Sequence, residues 1–467
     1  MSNPGYDPRT FKALTYHDAT ANFRVGKDTP RAYLERCLDT IATRDPVVKA
    51  FVTRNDAGAR AAADVSSARW KAGTPLSLID GMPIAIKDLL ETKDMPTEMG
   101  CEAYRGNNTQ RDNAAVWALR EAGAIILGKV VTAELGGTHP GPTTNPFDAT
   151  RTPGGSSSGS AAAVGASMCP AALGTQVGGS VIRPAAFCGN IALKPTQGAI
   201  NRGERQATSM STTGVHAGSI EDMWQVAIEI ARRAGGDPGK LGLFGPDTTP
   251  EAVKPQRLIA IESDGWAALD DTTRTAFETL LANLARAGVT LLRRKDHPWI
   301  EALEQSLKQS SAVANTITAW ENRWYQAALV ENHPEGVSAR LKATMKRAVA
   351  LTPDEYRALL LKRAAAQQCH QAIAPLADAA IMLSCPGVAP VWAGDEPGQP
   401  LAARPTGDSV FNTPSSMLHA PALTLPLMSL GGLPVGVQLL GQQHEDARIT
   451  SLARWMLQRT HDLAVSQ

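Results

Sequence analysis

A layered α/β fold is the fold class that the sequence predicts. Residues 113–122 read as a helix that leads directly into the apolar run 124–131, which is typical of a buried strand. Residues 81–88 form a second β-prone run, and it ends near a lysine, Lys87. Because helices and buried strands that follow one another pack as layers, the chain is predicted to be an α/β protein.

The other elements of the first half follow from capping residues and spacing. A helix over 30–43 is predicted because Thr29 is a candidate N-cap, Pro30 stands at the first helical position, and apolar residues recur at helical spacing. Residues 136–160 are rich in Gly, Thr, Pro, Asn and Ser, which predicts a long loop, and a second Gly-rich loop is predicted over 174–180. Further helices are predicted over 57–70, from Ser160 onward and over 220–234.

The second half of the chain alternates in a similar way. We predict helices over 270–287, 300–330, 338–349 and 353–375, and strands over 257–262 and 379–384. The longest apolar stretch, 420–440, is interrupted by three prolines and by a Gly-Gly pair. Those interruptions favour two short strands with a tight turn over a membrane helix. A helix near 445–459 lies close to the end of the chain.

Composition and charge exclude several classes of protein. The 467 residues carry 46 Lys and Arg against 45 Asp and Glu, so a net charge of +1 gives no strong field toward nucleic acid or anionic lipid. Six cysteines without metal-ligand spacing and nine histidines without an H-E-x-x-H motif predict no metal site, and no cofactor is expected. The first residues show no basic region followed by an apolar run, so we expect a cytoplasmic protein without membrane or nucleic-acid partners.

Three features have the residue types of acyl-transfer chemistry. Lys87 follows the apolar run 84–86, and desolvation there would lower its pKa and make it a base. The serine-rich loop 154–160 runs into a helix start and would supply hydroxyls or anion-binding N–H groups. Ser180 follows two glycines, an arrangement that lets consecutive N–H groups converge as an oxyanion hole.

An alternative interpretation of the serine-rich loop gives a different nucleophile. Residues 155–159 match G-x-S-x-G, which would make Ser157 the nucleophile of an α/β-hydrolase. That motif requires a strand immediately before the turn, whereas Pro146 and Pro153 interrupt the preceding residues. The α/β-hydrolase interpretation is therefore disfavoured.

Taken together, these motifs resemble the amidase signature family. The matching segments are 81–87, 145–146, 154–160, 174–180, 184–189, 193–196, 421–423 and 432–436. The spacing of 24 residues from Ser156 to Ser180 fits the two catalytic serines of that family. The resemblance implies a single α/β/α sandwich around a large mixed sheet that spans 1–467, although length alone would predict about three domains. Within it, 30–235 and 408–460 would form the catalytic core, and 236–407 a helical elaboration that contributes to the substrate pocket.

The resemblance also implies a role for each catalytic residue. Ser180 would be the nucleophile that forms an acyl-enzyme, and Ser156, which follows a cis peptide bond in this family, would pass the Ser180 proton to a neutral Lys87. Water would then hydrolyse the acyl-enzyme through the same relay. The oxyanion would be held by the N–H groups of four consecutive residues: Val177, Gly178, Gly179 and Ser180.

Three positions depart from the family pattern, and two of them bear on the substrate. Gln176 stands where the family usually has an acidic residue, Ile182 stands where arginine is usual, and Ser158 replaces a common glycine. The joint loss of an acid and a base predicts one missing ion pair. It also favours a small neutral amide as the substrate, with ester or carbamate cleavage as further possibilities of the same chemistry.

Two other functions remain open from the sequence. The ammonia-producing subunit of a glutamine-dependent amidotransferase carries the same motifs, and it would require another protein as its partner. The second alternative is a binding protein of the same fold without activity, although Lys87, Ser156 and Ser180 are all present. A homodimer is compatible with the sequence.

Overall fold

One mixed β-sheet organises the computed structural model, which describes residues 5–204, 208–395 and 398–467. The strands in chain order are β1 (Phe51–Arg54), β2 (Pro83–Lys87), β3 (Ile125–Val130), β4 (Ala171–Gln176), β5 (Ile191–Lys194), β6 (Thr212–Ala217), β7 (Arg257–Ala260), β8 (Thr290–Leu292), β9 (Ala379–Leu383), β10 (Ala422–Leu430), β11 (Leu433–Leu440) and β12 (Val465–Ser466). Among the described residues, they join in the order β1-β3-β2-β4-β6-β5-β10-β11-β9-β7-β8, with β12 beside β10. The pairs β2–β3, β2–β4, β7–β8, β7–β9 and β10–β12 are parallel, and the others are antiparallel.

Helices surround this sheet. In chain order they are α1 (His17–Arg24), α2 (Pro30–Val48), α3 (Asp56–Ala72), α4 (Ala114–Glu121), α5 (Ser158–Gly165), α6 (Ile182–Phe187), α7 (Ile220–Ala234), α8 (Asp271–Arg286), α9 (Pro298–Ser306), α10 (Ser310–Asn332), α11 (Ala339–Ala348), α12 (Pro353–Ala372), α13 (Thr413–Met417), α14 (Asp446–Gln458) and α15 (Thr460–Leu463). Side-chain caps begin several of them, as when Thr29 accepts the N–H of Ala32 at the start of α2.

Alternate residues of the central strands face two different hydrophobic cores. On β2, Ile84 and Ile86 pack in the core that includes α4, α7, α8 and α14. Ala85, which lies between them, packs in the core that includes α2, α3 and α5. Since successive side chains of a strand point to opposite faces, helix layers cover both faces of the sheet. This arrangement confirms the predicted α/β/α sandwich around a large mixed sheet.

Small residues let α5 approach the sheet closely. Its residues Ala161, Ala162 and Ala163 are fully buried. At Gly159, a Cβ would lie 2.4 Å from the backbone nitrogen of Val131, so only glycine fits between the helix and the end of β3. The sequence predicts this helix from Ser160 onward, and it begins two residues earlier, at Ser158.

Two predicted elements need correction. The Gly-rich segment 174–180 is not a loop throughout, because Gly174, Thr175 and Gln176 pair with β6 as the last residues of β4. The predicted helix 300–330 is two helices, α9 and α10, which are separated at Gln309 by a left-handed backbone with φ of 60°. No glycine or proline marks that break in the sequence.

The apolar stretch 420–440 forms the predicted pair of strands. β10 and β11 pair along most of their length, and the turn between them uses Gly431 and Gly432 at positive φ. In the ranges that the structure describes, no helix combines the length and the apolar character that a membrane crossing requires.

The middle of the chain contributes to the same sheet. Strands β7, β8 and β9 lie between residues 236 and 407, and β9 pairs with β11 of the C-terminal part. This continuity supports the single-domain organisation that we propose for residues 1–467.

Candidate active site

The site lies where two parallel strands end. β2 ends at Lys87, and its parallel neighbour β4 ends at Gln176. Because the carboxyl ends of parallel strands meet at one edge of a sheet, Lys87 and the loop after β4 come together there. The serine-rich loop before α5 reaches the same edge, since the N–H of Ser157 donates to the carbonyl of Ser180 at 3.2 Å.

Lys87 is surrounded by neutral oxygen atoms. Its Nζ lies 2.8 Å from Ser156 Oγ, 2.9 Å from Ser157 Oγ, 2.9 Å from Thr175 Oγ1 and 3.3 Å from the Thr175 carbonyl oxygen. The side chain is fully buried at 0% exposure. Within the described residues, no carboxylate forms an ion pair with it.

Burial lowers the pKa of Lys87 well below the usual value for lysine, because the charged ammonium would lose its hydration without gaining a counter-ion. His216, on β6 next to this site, is also fully buried, and burial together with the nearby lysine lowers its pKa to about 3. The interior at this edge of the sheet therefore disfavours positive charge on both side chains.

Ser156 follows a cis peptide bond from Gly155. The carbonyl of Gly155 accepts a hydrogen bond of 2.6 Å from Nη2 of Arg183. Nε of Arg183 donates to the carbonyl of Thr406 at 2.8 Å, so one guanidinium ties the Ser156 loop to the segment before α13. Burial lowers the pKa of Arg183 to about 10, and no described carboxylate pairs with it.

The loop after β4 turns its carbonyl groups into the protein. The carbonyls of Gly178, Gly179 and Ser180 accept hydrogen bonds from Ser416 Oγ, from the N–H of Arg183 and from the N–H of Ser157. Within the described part of the chain, the N–H groups of residues 177–180 have no protein acceptor. Such free, neighbouring donors are what a developing oxyanion requires.

Glycine is required in this loop at Gly179. A Cβ there would lie 2.5 Å from Asn412 Oδ1 and 2.8 Å from Arg183 Nη1. Both neighbours are buried, so the loop has no space for a side chain on this face.

Gln176 and Ile182 lie below this loop, away from solvent. Both side chains are fully buried. Oε1 of Gln176 accepts the N–H groups of Val181 at 2.9 Å and of Ile182 at 3.0 Å, at the start of α6. These two residues therefore hold the loop after β4 in place, and the preference for a neutral substrate stays a prediction.

Replacing Ile182 with arginine is expected to destabilise the protein, because position 176 supplies an amide and no carboxylate. An unpaired buried charge of this kind lowers the free energy of unfolding by about 3 kcal/mol or more, against about 1 kcal/mol for the control Ile182→Val. Urea denaturation measures both. The double variant Gln176→Glu, Ile182→Arg is expected to recover part of the loss, and an unchanged stability of Ile182→Arg would contradict the missing ion pair.

The structure brings Lys87 Nζ to 2.8 Å from Ser156 Oγ and places the backbone of Ser180 against the neighbouring Ser157, and it adds other residues to the site. Among the described residues, no hydrogen bond joins Ser180 Oγ to Ser156 Oγ. Ser157 is fully buried and bonded to Lys87 and Thr175, and no strand precedes it, so it does not have the exposed position of an α/β-hydrolase nucleophile. Ser157 and Thr175 instead complete the surroundings of Nζ. Neither this role nor the role of Arg183 was predicted, although Ser157 lies within the serine-rich segment 154–160.

In the described ranges, no group of three His, Cys, Asp or Glu side chains is arranged to hold a metal ion.

The chain belongs to the amidase signature family of enzymes, because the family model described as Amidase matches residues 32–450. It is 31% identical to the A subunit of glutamyl-tRNA(Gln) amidotransferase from Chloroflexus aurantiacus, over 96% of this chain and 98% of that protein. It is 29% identical to the protein of that name from Myxococcus xanthus, over 96% and 97% of the two chains. A solved amidase structure is similar with a TM-score of 0.82 and 26% identity, over 96% of this chain and all of the other.

Proposed function

We propose that this protein is an amidohydrolase that cleaves the C–N bond of a small amide through an acyl-enzyme on Ser180. The observation that carries the proposal is the position of Lys87 Nζ, buried without a counter-ion and 2.8 Å from Ser156 Oγ. A neutral amine in that position can accept a proton from a hydroxyl, which an ordinary lysine ammonium cannot.

The hydrogen-bond donors and acceptors around Lys87 Nζ support a proton relay. A neutral amine has two N–H donors and one lone pair. We assign the donors to Ser157 Oγ and Thr175 Oγ1, at 2.9 Å each, and the lone pair to the hydroxyl of Ser156. Ser157 in turn accepts the N–H of Thr175 and donates to its carbonyl, both at 3.2 Å, so its hydroxyl is held in place.

The chemical steps then follow from this arrangement. Ser180 Oγ attacks the amide carbonyl while its proton passes to Ser156 and the Ser156 proton passes to Lys87. The N–H groups of Val177, Gly178, Gly179 and Ser180 stabilise the oxyanion. The protonated Lys87 returns its proton through Ser156 to the leaving nitrogen, which departs as an amine, and water cleaves the ester of Ser180 by the reverse sequence of transfers.

The substrate class is tested by a panel with purified protein. Alkyl and aryl amides, each in a neutral form and in a form with a carboxylate, are compared with esters and carbamates of the same acyl group. The sequence predicted neutral amides, and faster turnover of the carboxylate forms would contradict that preference. Arg183 makes this comparison informative, since it places an unpaired guanidinium next to Gly155. Absence of turnover on the whole panel, with no labelling of Ser180 by a fluorophosphonate, would favour the binding protein without activity.

The names of the curated relatives favour a second candidate function. The proteins of Chloroflexus aurantiacus and Myxococcus xanthus are named as subunits of an amidotransferase, and they match nearly the whole chain. An ammonia-producing subunit would release ammonia from glutamine efficiently only with its partner. Turnover of simple amides by the isolated chain, at rates that glutamine does not match, would count against this candidate and for the amidohydrolase.

A further inference from the structure

The hairpin formed by α10 and α11 packs beside the turn Glu134–Gly136, partly through a small hydrophobic cluster of its own. The first half of α10 packs in the main core, through Val313, Ala314 and Ile317. α10 and α11 pack with a cluster that is separate from the two main cores: Cys101, Leu329, Val337, Leu341, Met345 and Ala348. Leu135, in a short turn next to the active site, packs against this cluster. The turn of the hairpin packs closely against Ala103, because a Cβ on Gly336 would lie 2.9 Å from the backbone nitrogen of that residue.

A single carboxylate joins the hairpin to the turn that contains Leu135. Glu134 is buried at 7% exposure, and its Oε1 accepts the N–H of Ser338 at 2.8 Å. Its Oε2 accepts the hydroxyl of Ser338. Ser338 is the N-cap of α11 and accepts the N–H of Leu341 at 3.1 Å, so the carboxylate lies at the positive end of that helix.

The residue before Glu134 contacts the serine loop, and Gly136 lies near the same loop. The N–H of Ala133 donates to the carbonyl of Ser156 at 3.0 Å. A Cβ on Gly136 would lie 3.8 Å from Ser156 Oγ, and Leu135 between them has a φ of 51°. A shift of Glu134 would therefore move the N–H group that holds the Ser156 backbone.

We propose that Glu134 is a positioning residue, which couples the docking of the α10–α11 hairpin to the placement of Ser156 Oγ against Lys87 Nζ. This inference rests on the proposed amidohydrolase function. A misplacement of about 1 Å in a catalytic constellation reduces turnover by about a hundredfold, so an anchor outside the reacting atoms has a measurable effect.

Three substitutions test the coupling. Glu134→Ala removes both acceptors and is expected to lower kcat and the rate of fluorophosphonate labelling at Ser180 together, by about tenfold to a hundredfold, with KM changed less than about threefold. Glu134→Gln keeps one acceptor for the Ser338 N–H and should recover most of the rate. Gly336→Ala displaces the hairpin from the other side and should lower kcat in the same way. The control Glu335→Ala changes an exposed carboxylate of the same turn and should leave all three quantities unchanged.

The outcomes separate a positioning role from a purely structural one. A lower Tm for Glu134→Ala, with wild-type kcat and labelling at 25 °C, would overturn the proposal. If Glu134→Ala does not fold, Ser338→Ala decides, because it removes the hydroxyl bond to Glu134 and the cap of Leu341 but keeps the carboxylate and the Ser338 N–H bond. It should lower kcat and labelling in the same direction, and wild-type values of both would overturn the proposal. If wild-type protein neither hydrolyses amides nor labels, the amidohydrolase function fails on its own. Hydrogen exchange then still measures the coupling, since the Ala133 N–H should exchange faster in the Ser338→Ala variant and unchanged exchange would refute it.

Discussion

Replacement of Ser180 with alanine is expected to abolish turnover of every amide that the wild-type protein hydrolyses. The substitution removes the hydroxyl that would form the acyl-enzyme, and loss of a serine nucleophile lowers kcat by about 10³-fold or more. The neighbouring backbone should be unaffected, because the hydrogen bond from Ser157 goes to the carbonyl of Ser180 and not to its side chain. Steady-state kinetics and mass spectrometry after fluorophosphonate treatment measure the loss and the labelled residue.

A matched serine elsewhere in the chain controls for general damage. Ser451 lies on α14, and among the residues that the structure describes its hydroxyl bonds only within that helix, to the carbonyl of Ala447 at 3.2 Å. Ser451→Ala should keep wild-type kcat and labelling. Retention of wild-type rates by Ser180→Ala would contradict the proposed function. If both variants lower Tm by the same amount, the loss of stability is not specific to position 180.

Much of the fold could be predicted from the sequence because long elements carry a repeated signal. Helix α2 begins at its predicted Thr29 cap, and α7 has the predicted bounds, since apolar residues recur over fifteen positions. The short elements β5 and α6 were not predicted, because four residues and six residues are too few for a period to be recognised. Gln309 breaks a helix without a local glycine or proline, and its N–H donates to Oδ2 of Asp264, a residue 45 positions away that a local pattern cannot predict.

The candidate site, like the fold, could be predicted from the sequence only in part. Lys87, Ser156 and Ser180 lie in short motifs whose order resembles a known family, and these motifs were visible in the sequence. The contact of Arg183 with Thr406 joins residues 223 positions apart, and no local sequence pattern predicts such a contact. Gln176 is a different case, because the sequence indicated an effect on the substrate, whereas the folded chain shows its side chain buried at the start of α6, where it accepts the N–H groups of Val181 and Ile182.

Replacement of Lys87 is expected to have the second large effect, and its pH dependence is specific to a neutral lysine. In wild-type protein, kcat/KM should rise with pH as Lys87 loses its proton and then reach a plateau, because only the neutral amine can accept the Ser156 proton. Burial holds the pKa of Lys87 well below 10.5, so the plateau should begin well below that pH. Lys87→Met and Lys87→Arg should each lower kcat by about 10³-fold, since methionine has no lone pair for the proton and arginine stays protonated at every accessible pH.

The same substitution has a signature in stability that does not depend on catalysis. A lysine whose pKa is lowered by folding binds its proton more readily in the unfolded chain, so the unfolded state holds more protons between the folded pKa and 10.5. In that window, the free energy of unfolding of the wild type should rise with pH more steeply than that of Lys87→Met, by about 1.4 kcal/mol per pH unit. Denaturation at several pH values measures the difference between the two slopes. Equal slopes would mean that Lys87 is protonated in the folded protein, and a protonated lysine cannot serve as the base of the relay.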